Sequence, residues 1–234
     1  GADPGLATRI LSKAGRSMGY RVGCVVSSEQ AGPGRGAWAQ LLFSRPRDGT
    51  TPSLPIAIPY GEVDLLLGVD PVETLRALGP DPELRVADAE RTDAVVNLGL
   101  LADQVEHSSV RLRRTDEALE DAIKHHCREE PWCADLVALA RRSLLTERLL
   151  DLLLLGIAYQ RGTLPLTLEA IEGAIEEEQQ GDFGRLLVAF RYGRGLEFGG
   201  AAPRDDSLRT PQIDRTIRRL VRDVRANGFR KRRD

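Results

Sequence analysis

The sequence predicts an α/β protein whose sheet is mostly parallel and flanked by helices, followed by an all-helical extension. Three observations support this prediction. Strand and helix patterns alternate over the first hundred residues, which is typical of a parallel sheet. Helical patterns alone continue after about Thr115. The length of 234 residues, with 41% hydrophobic and 29% charged residues, is ordinary for a globular protein with a sizeable core.

The first segment, residues 1–114, contains the predicted strands. Helical spacing over residues 8–18 ends at Gly19, which suits a C-terminal glycine cap. Pro71 begins a short helix, because proline is tolerated at the first helical position. An apolar run at residues 63–68, interrupted at Asp64, predicts a strand buried on both faces. The other predicted strands are residues 20–27, 38–43, 84–87 and 94–98.

Residues 115–200 form the predicted helical extension. Pro131 begins a helical run whose apolar residues continue to Ala158, and Thr167 is the N-cap of a later helix. The other predicted helices are residues 116–127, 167–178 and 183–194.

The last segment, residues 201–234, is a basic tail in which Pro211 begins an amphipathic helix. Its apolar stripe predicts docking against the helical extension or a partner subunit, with the arginines facing solvent or that subunit. Contact with nucleic acid is the alternative, but Phe229 is the one aromatic residue available for base stacking there.

Charge and hydropathy exclude several classes of protein. The 33 basic and 35 acidic residues nearly cancel, so overall charge indicates neither a nucleic-acid nor a membrane partner. The longest apolar stretch, residues 152–158, is far shorter than the roughly 20 residues of a membrane span. Three cysteines without framework spacing, and no signal segment, predict a reduced, cytoplasmic protein. The chain begins at Gly1 inside a glycine turn with no strand before it, which predicts a fragment or a missing natural start.

Two glycine-containing segments are candidate binding loops. The segment GADPGLAT, residues 1–8, enters a helix whose free N–H groups could hold a phosphate. A tight turn without a ligand is the alternative, because Asp3 would repel phosphate. The second segment, residues 32–36, places Arg35 between two strands, where it could pair with phosphate or carboxylate. A plain glycine-rich connection is the alternative.

A cluster of metal-binding residue types needs a separate interpretation. His125 and His126 are adjacent, so on a helix they point about 100° apart and cannot both face one ion. Cys127 and Cys133 are therefore predicted to be packing thiols. With no recognisable nucleophile and base, the sequence predicts a binding or accessory unit without catalytic or metal-ligating residues.

Residues 155–194 carry an ordered series of motifs. They are LGIAYQRG at residues 155–162, LPL at 164–166, EAIEGAI at 169–175 and AFRYGR at 189–194. Together they resemble a run near the C-terminal end of indolepyruvate ferredoxin oxidoreductases and related large 2-oxoacid oxidoreductases. One departure is Val188, because the family usually has an asparagine just before the AF pair.

The first hundred residues are similar to the gamma-type module of the same family, which is Rossmann-like. Gly5 and Thr8 resemble the end of its glycine turn, and Gln30, Arg35 and Gly36 resemble its second loop. The resemblance makes these five residues the candidate ligand-binding residues. The sequence DLLL at residues 64–67 and the strand end VVN at 95–97 resemble two later features of the module.

The resemblance implies the small, beta-type subunit of an enzyme complex. Such enzymes decarboxylate a 2-oxo acid oxidatively with thiamine diphosphate and iron–sulfur clusters, pass electrons to ferredoxin and form an acyl-coenzyme A. An iron–sulfur cluster needs about four thiolates, so both cofactors are expected on a large alpha-type partner. The isolated chain is then inactive, and whether coenzyme A reaches it at the interface stays open. The alternative is a stand-alone α/β nucleotide-binding or regulatory protein that uses the same module.

Overall fold

The computed structural model describes residues 4–27, 37–46, 54–55, 57–79, 85–99, 115–143, 146–178 and 184–196, with Arg219 and Arg222. In chain order the described elements are α1 (Pro4–Ser17), β1 (Arg21–Ser27), β2 (Trp38–Ser44), β3 (Leu65–Gly68), α2 (Pro71–Leu78), β4 (Asp93–Asn97), α3 (Thr115–Lys124), β5 (Trp132–Ala134), α4 (Leu136–Ser143), a 3-10 turn (Glu147–Leu149), α5 (Leu150–Gln160), α6 (Leu168–Glu178) and α7 (Arg185–Leu196). None of these helices is long and apolar enough to cross a membrane.

The described residues fall into two compact units. The sheet unit contains the described part of Pro59–Leu150. The helix–hairpin unit combines the described parts of Asp3–Ile58 and Asp151–Gly199. The second unit is therefore built from two stretches that are distant in the sequence.

In the sheet unit, three parallel strands lie in the order β3-β4-β5. The three middle residues of the central strand β4 are apolar, and Val95 and Val96 are fully buried because the strand has neighbours on both sides. Helices α2 and α3 contribute Leu75 and Ile123 to the same core. Asp70 caps α2 through its carboxylate, which accepts from the Val72 and Glu73 N–H groups, so Pro71 stands at the first helical position as predicted.

In the helix–hairpin unit, α1 packs on an antiparallel hairpin of β1 and β2. Helical spacing places Ile10 and Ala14 on the buried face of α1. The helix ends before Gly19, whose φ of 79° lies in the left-handed region that favours glycine. The predicted C-terminal glycine cap is confirmed.

The fold class is confirmed in its coarse form, as an α/β protein with a parallel sheet and helices. Three details of the prediction are wrong. The strands at residues 20–27 and 38–43 exist, but they pair antiparallel with each other. Residues 85–87 form no strand; they run irregularly, with the Val86 N–H donating to the Ala77 carbonyl. Pro131 begins no helix, because β5 follows it and pairs with β4 before α4 starts at Leu136.

The boundaries of the two compact units differ from the boundaries of the three segments that the sequence predicts. Residues before Ile58 contact residues after Asp151, whereas the sequence prediction divides the chain at residues 114 and 200. The segments 1–114, 115–200 and 201–234 stay a prediction about sequence modules. The basic tail lies outside the described residues, apart from Arg219 and Arg222, which are helical and exposed.

Candidate functional site

The carboxyl-terminal edge of the parallel sheet is the candidate site, because open α/β sheets bind ligands beyond the carboxyl ends of their strands. A polar side chain ends or follows each strand there: Asp70 after β3, Asn97 at the end of β4 and Asp135 after β5. Helices α2 and α4 both begin at this edge, so their positive ends are directed toward it.

Asn97 holds the edge together. Its side chain is buried, and its Nδ2 donates to the Val69 carbonyl at 2.8 Å and to the Gly99 carbonyl at 2.7 Å. Its Oδ1 accepts from the Gly99 N–H and the Leu136 N–H, both at 3.0 Å. The amide thus ties the ends of all three strands to one another. Because all four of its hydrogen bonds go to this chain's backbone, Asn97 positions the edge and is not free to bind a ligand.

Carboxylates of this chain cap the two helices that begin at the edge. Asp70 Oδ1 accepts from the Val72 N–H at 2.7 Å, and Asp135 Oδ1 accepts from the Ala138 N–H at 3.0 Å. The backbone also approaches closely there, since a Cβ on Gly99 would collide with the Asp135 carboxylate. The edge is therefore rigid, and a ligand would meet backbone and carboxylate groups in fixed positions.

The predicted ligand-binding residues Gly5 and Thr8 lie together in the first two turns of α1. The helix begins at Pro4, so Gly5 is already helical, and Thr8 is buried. The Asp151 carboxylate, 3% exposed, accepts from the Ala7 N–H at 3.2 Å and from the Leu152 N–H at 2.9 Å. The chain thereby supplies its own anion where the prediction expects a phosphate. Ligand binding by Gly5 and Thr8 stays a prediction.

The other three predicted residues, Gln30, Arg35 and Gly36, lie outside the described residues. Their predicted role in the loop between β1 and β2 stays a prediction.

The two thiols of the sheet unit are packed in or against its core, whereas its two histidines have different surroundings. Burial raises the pKa of both Cys127 and Cys133 to about 12, so each stays a neutral thiol near pH 7. Cys127 belongs to the core cluster and Cys133 packs against it, which confirms the prediction of packing thiols. His125 is exposed and His126 is buried, so the two rings face different surroundings. Among the described residues no group of three or more His, Cys, Asp or Glu side chains could hold a metal ion.

Sequence reasoning missed the burial of three charged residues that the structure describes, Arg85, Asp135 and Asp151. Asp151 interrupts a leucine-rich run between Leu150 and Leu152, and a carboxylate inside such a run is the signal that could have marked it. Arg85 lies in a segment that the sequence predicts as a strand, where a single basic residue gives no signal of burial.

Comparison with protein-family models and with curated proteins finds no match to this chain. The family resemblance therefore rests on the residues that carry it.

Proposed function

We propose that this chain is the small subunit of a 2-oxoacid:ferredoxin oxidoreductase of the indolepyruvate type. In this role it supports oxidative decarboxylation of a 2-oxo acid to an acyl-coenzyme A. Thiamine diphosphate and iron–sulfur clusters belong to the large subunit, which passes the electrons to ferredoxin. The chain acts as an enzyme subunit and is inactive by itself.

One observation carries the proposal: the motifs of residues 155–194 fold into three helices whose motif residues contact one another. A Cβ on Gly156 in α5 would collide with the Phe190 carbonyl in α7, and a Cβ on Gly193 would collide with the Leu153 carbonyl. The two glycines thus let α5 and α7 approach backbone to backbone. The motif glycines have a shared physical purpose, which a chance similarity of separate short motifs would not supply.

Polar motif residues join the same helices. Arg191 in α7 donates two hydrogen bonds to the Glu172 carboxylate in α6, at 2.8 and 2.7 Å. This pairing is the main reason that the pKa of Glu172 is lowered. Arg194 lies over the Tyr159 ring, 5.3 Å from its centroid, and donates to Gln160 at 3.3 Å. The motifs therefore specify a packed helical surface, which suits an assembly role better than a catalytic one.

The sheet unit is consistent with an accessory role. Its carboxyl edge is tied by Asn97 and capped by this chain's own carboxylates, and its two buried thiols are neutral. None of these described groups forms a nucleophile–base pair of the kind that covalent catalysis uses.

The test is to tag the chain and purify it from the cell that produces it. We expect it to bring down a larger subunit with bound iron and thiamine diphosphate, and the pair to reduce a ferredoxin or viologen dye when a 2-oxo acid is added. Recovery of the chain alone, without iron and without such activity, would overturn the proposal and favour a stand-alone regulatory protein.

A matched pair of variants tests whether the motif helices make the contact. We expect Gly156→Ala, which disturbs the α5–α7 approach, to lower recovery of the large subunit. Gly173→Ala should leave it unchanged, because a Cβ at Gly173 in α6 meets nothing within 4 Å. Equal recovery of the large subunit with both variants would show that these helices do not take part in the contact between the subunits.

A further inference from the structure

Arg85 is a buried cation that forms no ion pair with any residue that the structure describes. The residue is 4% exposed, and its Nε donates to the Ala87 carbonyl at 3.3 Å. Its guanidinium lies over the Tyr60 ring, 4.9 Å from the centroid. No carboxylate of the described residues pairs with it. Because burying a charge is costly unless it is paired, this arrangement suits an incoming anion.

His126 is a buried imidazole with one unused nitrogen. The residue is 2% exposed, and its Nδ1 lies 2.9 Å from the Ala122 carbonyl. A carbonyl oxygen only accepts, so Nδ1 carries the proton and Nε2 presents its lone pair. Nε2 is buried, and no group in the described part of the chain forms a hydrogen bond with it. Such an atom is costly to leave unpaired, and a ligand donor would satisfy it.

Both residues lie at the amino-terminal edge of the parallel sheet, opposite the edge that Asn97 ties. The Val86 carbonyl, next to Arg85, accepts from the Val63 N–H just before β3. The Arg128 N–H, two residues after His126, donates to the Thr92 carbonyl just before β4. Ala87 and Cys127, which flank the pair, belong to one core cluster.

The two residues are close enough to interact electrostatically. Burial is the main cause that lowers the pKa of His126, and the charges of Arg85 and His125 lower that pKa further. The bond to the Ala122 carbonyl and the charge of Asp88 act in the opposite direction. His126 is therefore neutral near pH 7.

We propose that Arg85 and His126 form a binding site for a protonated phosphate group. The Arg85 guanidinium binds two phosphate oxygens, as its planar fork does with tetrahedral oxyanions. The hydroxyl of the phosphate donates to His126 Nε2. Tyr60, over whose ring the Arg85 guanidinium lies, is 45% exposed, so Arg85 lies next to a residue of the protein surface.

This chemistry distinguishes phosphate from sulfate. Near neutral pH, every inorganic phosphate carries at least one proton, and phosphate monoesters, whose second pKa is about 6, carry one in a minor part of the population. Sulfate carries none and can only accept. Sulfate would therefore place an acceptor against the Nε2 lone pair. At a pH low enough to protonate His126, Nε2–H becomes a donor and both anions fit.

The experiment titrates the full chain with inorganic phosphate, phenyl phosphate and sulfate at pH 7.5 and pH 5.5. The readouts are calorimetry and the ¹⁵N chemical shifts of the histidine side chains. At pH 7.5 we expect phosphate to bind about tenfold or more tightly than sulfate, with the Nε2 resonance of His126 shifting. This preference should shrink as the pH falls toward the lowered pKa of His126. Binding of phenyl phosphate but not of inorganic phosphate at pH 7.5 would contradict the proposed hydroxyl contact, because the monoester is then mostly a dianion without a proton to donate.

Arg85→Gln should weaken phosphate binding about tenfold or more, because a charge-assisted contact is lost. Arg85→Lys, which keeps the charge without the fork, should recover only part of it. Arg142→Gln, an exposed arginine of the same unit, is the matched control and should bind like the parent chain. Absence of phosphate binding by the parent chain, or equal affinity in Arg85→Gln, would overturn the proposal. The parent-chain titration decides the matter even if Arg85→Gln does not fold.

Discussion

Two glycines of α7, only two residues apart, have opposite surroundings. A Cβ on Gly193 would collide with the Leu153 backbone of α5, whereas a Cβ on Gly195 meets nothing within 4 Å. We expect Gly193→Ala to lower the free energy of unfolding by about 1–3 kcal/mol or more, because the opposing atoms are backbone and cannot move aside easily.

Gly195→Ala is the matched control, and we expect it to be neutral or stabilising by up to about 1 kcal/mol, since alanine is the better helix former. Urea unfolding of the two variants and the parent chain measures the difference. Equal stability of the two variants would contradict the close approach of α5 and α7.

The buried His126 should make stability depend on pH. Burial lowers its pKa below the ordinary value of 6.5, so the unfolded chain takes up a proton at a higher pH than the folded chain. Stability is then complete above about pH 6.5 and decreases as the pH falls below that value toward the lowered pKa. We expect the free energy of unfolding to be lower at pH 5.5 than at pH 7.5, as measured by urea unfolding.

The range from pH 5.5 to pH 7.5 distinguishes the effect of His126 on stability from that of the carboxylates. The lowered pKa values of Glu172 and Glu178 remove stability only as the pH falls below about 4.5. His126→Gln should flatten the dependence between pH 7.5 and 5.5, while the same change at the exposed His125 should retain it. If His126→Gln keeps the full dependence, another group is responsible.

At the scale of elements, Asn97 joins three strand ends that local sequence patterns leave separate. Replacing it by leucine leaves the Gly99 and Leu136 N–H groups without their acceptor. Each buried, unsatisfied group costs about 1–3 kcal/mol. We therefore expect Asn97→Leu to be among the most destabilising substitutions in the sheet unit.

Urea unfolding and hydrogen exchange of the β4 amides measure this loss. Asp64→Asn, at an exposed position before β3, is the control and should change stability by no more than about 0.5 kcal/mol. A loss below about 1 kcal/mol in Asn97→Leu would show that the strand ends hold together without the amide.

Considering the whole molecule, the helix–hairpin unit is assembled from two stretches of chain, one before and one after the sheet unit in the sequence. Asp151 accepts from Ala7, and the Tyr20 hydroxyl donates to the Pro165 carbonyl at 3.1 Å. Arg9 and Lys13 pair with Glu178. The α1 face is thus completed by residues more than a hundred positions away.

We expect fragments 1–58 and 151–200 to be poorly folded alone and to gain helical circular dichroism when mixed. Ile10→Asp, at a fully buried position, should abolish this gain, and Arg16→Asp, at an exposed position of the same helix, should not. A spectrum of the mixture equal to the sum of its parts would show that the unit needs the intact chain.

Local sequence patterns were enough to predict the features that depend on neighbouring residues. The end of α1 at Gly19, the start of α2 at Pro71 and the Thr167 cap, which accepts from the Ala170 N–H at 3.3 Å, follow local rules of dihedral angle and capping. The motif series of residues 155–194 likewise marked the helices α5 to α7 and suggested the proposed function.

The pairing of elements and the burial of polar groups became visible in the three-dimensional fold. The side-chain periodicity of β1 would be the same in a parallel and in an antiparallel sheet. Its antiparallel pairing is therefore fixed by the partner strand β2. The three residues of β5 are too few to show a period, so their place beside β4 comes from that neighbour. Burial of Arg85, His126 and Asp151 has the same cause, because it depends on contacts between residues far apart in the chain, which local patterns do not encode.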